Sequence, residues 1–154
     1  SSELKRNEVF NKLGVLKANE LVNLSRYEED MAGGLMLTEF LFVNVEDTVD
    51  KAIDKIRNEG EEHKSIYHIY VLDDNSKLQG VVSIRTLLLA KKKEKIADIM
   101  SRVYKHVSLE TKDTEVAKIL TKYNLLSVAV IDSDGVMKGV VTIDDIMRLL
   151  VPEA

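Results

Sequence analysis

The residues with the most chemical potential sit at two strand-to-helix junctions. The stretch Gly139-Val140-Val141-Thr142-Ile143-Asp144-Asp145 places a hydroxyl three residues before a carboxylate. Its counterpart, Gly80-Val81-Val82-Ser83-Ile84-Arg85-Thr86, keeps the hydroxyl and replaces the two aspartates with Arg85 and Thr86. A hydroxyl ending a strand points at the first turn of a helix, where unpaired N–H groups and a positive dipole end suit a phosphate or another anion. Asp145 can accept two hydrogen bonds from a vicinal diol, so Thr142, Asp145 and the helix start together match a ribose phosphate. In the first copy Arg85 can reach a phosphate, while Thr86 cannot replace the carboxylate. The competing reading is local: Thr142 and Asp145 cap their own helix.

Other motifs carry less. The Asp132-Ser133-Asp134-Gly135 stretch starts like a calcium loop, but Val136 and Ile143 stand where that loop needs oxygen ligands. It is expected to be a hairpin turn. Gly33-Gly34 has no preceding strand and no phosphate-loop pattern. His63, His68 and His106 lack metal-ligand spacing to one another. No nucleophile–base set or paired-carboxylate site appears, and no enzymatic activity is expected.

The elements that position the junctions are written twice. Val71-Leu72-Asp73 and Gly80 to Ile84 recur at an offset of 59, as Val130-Ile131-Asp132 and Gly139 to Ile143. Upstream, Val43, Ala52, Ile53 and Ile56 match Val107, Val116, Ala117 and Leu120 at an offset of 64. The first copy therefore has five extra residues, around Gly60-Glu61-Glu62-His63-Lys64. Each copy reads strand (about 40–45, then 105–109), amphipathic helix (47–59, then 113–124), hairpin, closing helix (84–90, then 143–150). Asp47-Thr48 and Asp113-Thr114 are the expected N-terminal caps. Two such units bury their sheets best by pairing with each other. The lysine-rich 90–95 is expected to be a solvated linker. Before the repeat lies a helical preface, 3–24, whose apolar positions are Val9, Leu13, Leu16, Leu21 and Leu24.

Composition sets the class. The 154 residues are 45% apolar and 31% charged, as in a soluble globular chain. No apolar run reaches the ~18 residues of a membrane span, and no leader with a cleavage site opens the sequence. The absence of cysteine excludes disulfides and thiolate metal sites and makes a reducing compartment the natural expectation. The net charge of −4 is uneven: residues 20–63 hold twelve acids against four Lys and Arg, a balance of −8, leaving +4 for the rest. That acidic third disfavours nucleic acid as a partner and suits a face that collects cations.

The two copies resemble tandem CBS domains over residues 35–150, with the signature whole in GVVTIDD and lacking its aspartate in GVVSIRT. A narrower resemblance rests on YEEDMAGGLMLTEF (27–40), SIYHIYVLDDNSKLQGVVSIRTLLLA (65–90) and IADIM (96–100): the chain looks like the cytosolic part of the MgtE magnesium transporters. This implies an α/β (α+β) CBS pair, each unit β-α-β-β-α, divided as 35–92 and 93–154. It also implies that 1–34 ends an N-terminal helical domain and that a connecting helix and membrane transport domain follow Ala154. The implied setting is the cytoplasmic face of a membrane, with a homodimer and a magnesium-sensing, gating role.

The resemblance also implies sites. Asp145 falls at an acidic position of family magnesium sites, and Gly33 and Thr121 at backbone ligands. Asn124 stands where an aspartate is expected, and Arg148, a charge reversal, where another acid is expected. In the family the nucleotide cleft for ATP or another adenine nucleotide lies beside Tyr67 and Arg85; the junction of Thr142 and Asp145, read above from its residues, is a second, competing candidate site. Leu125 and Thr86 replace an aromatic and an aspartate in the family cleft. The rival expectations are a soluble CBS-pair nucleotide sensor and a purely structural dimerisation module.

Overall fold

The structure, a computed structural model, describes residues 27–63 and 68–151. The helical preface 3–24 and Tyr67 lie outside the described residues. The two copies form the same unit. In the first, strand β1 (Phe42–Asn44) pairs in parallel with β2 (Ile69–Leu72), which pairs antiparallel with β3 (Leu78–Val82). Helix α2 (Val49–Glu59) makes the crossover, and α3 (Ile84–Leu89) closes the unit. In the second, β4 (His106–Ser108), β5 (Ser127–Ile131) and β6 (Met137–Thr142) repeat that order, with α5 (Asp113–Lys122) and α6 (Ile143–Leu150). Register is preserved: Val43 faces Val71, and its counterpart Val107 faces Val130. The expected β-α-β-β-α order is the one observed. The central strand of each sheet is covered on both faces, which is why IYVL and SVAVI read as unbroken apolar runs.

The packing is exchanged between the copies. A short helix, α1 (Ala32–Leu35), precedes the first unit, and α4 (Ile96–Ile99) precedes the second. Ala32, Leu35 and Met36 pack in the second core with Val107, Val116, Leu120, Val130 and Ile146. Ile96 and Met100 pack in the first, with Val43, Val49, Ala52, Val71 and Leu87. Each leading segment thus straps onto the other unit. Leu37 bridges Val140 just as Ser101 bridges Val81. A boundary at 92/93 divides the chain by sequence, but the packing crosses it. A third cluster, with Tyr70, Leu72, Leu78, Ala129, Met137 and Val140, joins the two sheets.

The exchange corrects two expectations. Asp47-Thr48 and Asp113-Thr114 do not cap by side chain. Thr48 is at the N-cap position, but its hydroxyl donates to the Asp50 carboxylate. Asp113 lies inside α5, whose N-cap is Lys112. Main chain from the straps satisfies the orphan donors instead: Val49 N–H reaches Glu94 O at 2.9 Å, Asp50 N–H reaches Lys92 O at 2.9 Å, and Asp113 N–H reaches Asp30 O at 2.7 Å. The 90–95 linker is therefore structural as well as solvated. Lys93 also lies 2.7 Å from Asp50; hydrogen bonds from Lys93 and Thr48 draw the Asp50 carboxyl down to about 2.

The two hairpin turns are built alike. Asp73 accepts from the N–H groups of Asn75 and Lys77, as Asp132 does from Asp134 and Val136. The Asp132–Gly135 stretch is thus the expected turn. Its left-handed residue is Gly135 (φ 83°), whereas the first copy puts Ser76 there (φ 62°). A left-handed non-glycine residue costs roughly 1 kcal/mol. Ser76→Gly is therefore expected to stabilise the chain by about 0.5–1 kcal/mol in urea unfolding, and an unchanged midpoint would show that the turn carries no strain.

Candidate functional site

The junction hydroxyls do what a helix start requires. The Thr142 side chain accepts from Asp145 N–H at 3.2 Å and donates to Asp145 Oδ2 at 2.9 Å. Ser83 accepts from Thr86 N–H at 3.0 Å and donates to Thr86 Oγ1 at 2.9 Å. Thr86 thus stands in for the carboxylate in the local cap, and the capping geometry is the one both junctions adopt. In the second unit the remaining carboxylate oxygen, Oδ1, accepts from Arg148 Nη1 at 3.0 Å, one helical turn on. Thr142 is buried, whereas the Asp145 side chain is 25% exposed and that of Arg148 77%.

Thr121 and Asn124 lie at the same end of the second sheet. Ser127 and Thr142 form its last rung, and from that end α5 arrives and α6 departs. Asn124 is exposed and left-handed (φ 53°), with its N–H on Thr121 O at 3.2 Å, so it serves as the stop of α5. Beside it the ring of Tyr123 carries Lys105 at 4.2 Å and Lys122 at 5.4 Å, and these charges hold its phenol below the usual range. Sequence reasoning missed both lysines.

Gly33 lies elsewhere. Its N–H donates to Leu109 O at 2.8 Å, just past Ser108, which faces Ile131 at the other end of β5. Four residue steps along that strand put it about 13 Å from the Asp145 end. Gly33 therefore does not share a site with Asp145, Asn124 and Thr121 within one chain. Among the described residues no group of three His, Cys, Asp or Glu is placed to hold a metal ion. Arg85 is solvent-exposed on α3.

An open cavity of about 660 Å³ borders the Gly33 end, lined in part by Tyr27, His106, Glu115, Ile119 and Asp132. The matching positions of the first unit are different: Lys55 lies 3.9 Å over the Phe42 ring, and Lys51 pairs with Asp47 at 3.2 Å. Aligning the copies would have exposed this difference, since Phe42, Lys51 and Lys55 correspond to His106, Glu115 and Ile119.

Known proteins place this architecture. The CBS domain family matches residues 32–93 and 96–152. The chain is 37% identical over 135 residues to the magnesium transporter MgtE of Thermus thermophilus, covering 88% of this chain and 30% of that protein. It is 34% identical over 138 residues to MgtE of Enterococcus faecalis, covering 90% of this chain and 30% of that one. The chain thus spans about a third of the length of these relatives. A crystal structure of the cytosolic domain of the Mg²⁺ channel MgtE in complex with ATP superposes with a TM-score of 0.80 at 36% identity, covering 86% of this chain and 53% of that one. The soluble part of a magnesium transporter gives 0.83 at 34%, covering 92% and 56%. Among the described residues no helix is long and apolar enough to cross a membrane. The chain belongs to the CBS domain family: it is a tandem CBS pair, homologous to the cytosolic domain of the MgtE magnesium transporters.

Proposed function

We propose that this chain is the magnesium-sensing module that gates an MgtE-type transporter from the cytoplasmic face of its membrane, acting as a homodimer and without enzymatic activity. The similarity to two MgtE proteins along nearly the whole chain carries this reading. Mg²⁺ takes one or two carboxylates and keeps several waters. A partly exposed carboxylate such as Asp145, with Thr121 and Asn124 at the same sheet end, fits such a hydrated ion. The balance of −8 over residues 20–63 favours further weak sites towards the preceding segment. Cation binding there offsets the mutual repulsion of the acids and holds the module closed. In a transporter, that closure would pull on the elements leading to the pore.

Mg²⁺ is expected to raise the unfolding temperature with saturation, as mass action requires, while sodium at equal ionic strength does not. Equal effects from both would reduce the response to charge screening. A second reading, adenine-nucleotide sensing, is favoured by the relative crystallised with ATP. Arg85 would then meet phosphate, and Thr142 with Asp145 would offer a second site. ATP replaces Mg²⁺ in the same thermal titration; no stabilisation at millimolar ATP removes this reading.

A further inference from the structure

We propose that Arg148 is a tethered competitor for the cation site at Asp145, setting the magnesium concentration at which that carboxylate is occupied. The inference rests on the reading of Asp145 as a magnesium ligand. Both carboxylate oxygens are engaged, Oδ2 by the Thr142 hydroxyl at 2.9 Å and Oδ1 by the Arg148 guanidinium at 3.0 Å. The two contacts differ in kind. Thr142 is buried, and its bond belongs to the helix cap. Arg148 is 77% exposed and three residues along the same helix, so it can leave without disturbing any core contact.

A divalent ion approaching Oδ1 must displace a unit positive charge or sit beside it. An exposed ion pair is weak, so the guanidinium biases occupancy without blocking it. The first unit has no such device, because Thr86 and Leu89 occupy the equivalent positions on α3. The pair therefore distinguishes the second junction from the first. Its effect is to raise the concentration at which the module responds.

Arg148→Gln, Asp145→Asn and the double variant are compared with the parent chain in MgCl₂ titrations, followed by thermal unfolding at fixed ionic strength. Arg148→Gln is expected to lower the half-saturating Mg²⁺ concentration three- to fivefold, and Arg148→Lys to stay within twofold of the parent. In the Asp145→Asn background the Arg148 substitution should have no further effect, which a merely structural role for Arg148 would not predict. If Asp145→Asn weakens the response but Arg148→Gln leaves the midpoint unchanged, the competition is wrong and the ligand assignment stands. If Asp145→Asn responds like the parent, Asp145 is not a ligand, and the competition falls with it.

Discussion

Gly80→Ala and Gly139→Ala are each expected to cost about 2–3 kcal/mol, the range of overpacking in a closed interior. These glycines lie where the exchanged straps cross the sheets. A Cβ on Gly80 would fall 2.6 Å from Ser101 O and 2.8 Å from the Met100 sulfur. On Gly139 it would meet Leu37 O at 2.6 Å and the Met36 sulfur at 2.6 Å. A methionine can yield, but the carbonyls cannot withdraw cheaply, since Leu37 and Ser101 belong to backbone bridges with Val140 and Val81. Relief would require lifting a strap, exposing Met36 or Met100 and loosening the helix starts capped beside it. The two variants should lose similar stability in urea unfolding, because the contacts are related by the duplication. A loss below about 0.5 kcal/mol at either position would show that the straps are not held against the sheets as described.

The second large effect is alkaline. Tyr70 is buried between the sheets, and its hydroxyl meets Ser127 Oγ across the interface at 2.8 Å. Burial disfavours the phenolate and pushes the hydroxyl up to about 12, against an opposing bond from Ser127. Because the folded value lies above the unfolded 10.0, the stabilisation is complete below pH 10 and is lost as pH rises towards 12. At pH 11 the loss amounts to about 1.4 kcal/mol. Tyr70→Phe cannot show this loss, although near neutral pH it costs about 1–2 kcal/mol by leaving Ser127 without its buried partner. Parent and variant should therefore converge near pH 11. A difference that stays constant from pH 8 to 11 would contradict the burial of an unionised phenol there.

Much of this architecture was legible because duplication leaves two independent records of one pattern. The offsets of 59 and 64 located both strands-and-helix units, and Gly80 and Gly139 marked equivalent positions. The exchange of straps was not legible. Ala32 and Ile96 satisfy the same apolar requirement in either unit, so the sequence pattern is indifferent to which core receives them. The capping errors share that origin: main chain from 92–94 and from Asp30 supplies acceptors that no side-chain motif announces. At the site, Thr142 and Asp145 stood out by type and spacing, but the same spacing also suits a helix cap. The contact from Arg148 needed the one-turn geometry of α6. Gly33 and Asp145 were grouped by resemblance, and only strand register shows them at opposite sheet ends.

Small-angle X-ray scattering across a MgCl₂ series at constant ionic strength tests whether magnesium draws this acidic module together. The radius of gyration should fall and then saturate with Mg²⁺, with the forward scattering reporting two chains throughout. Asp145→Asn should need more magnesium for the same contraction. A radius that does not change, or that contracts equally in sodium chloride alone, would contradict the sensing account.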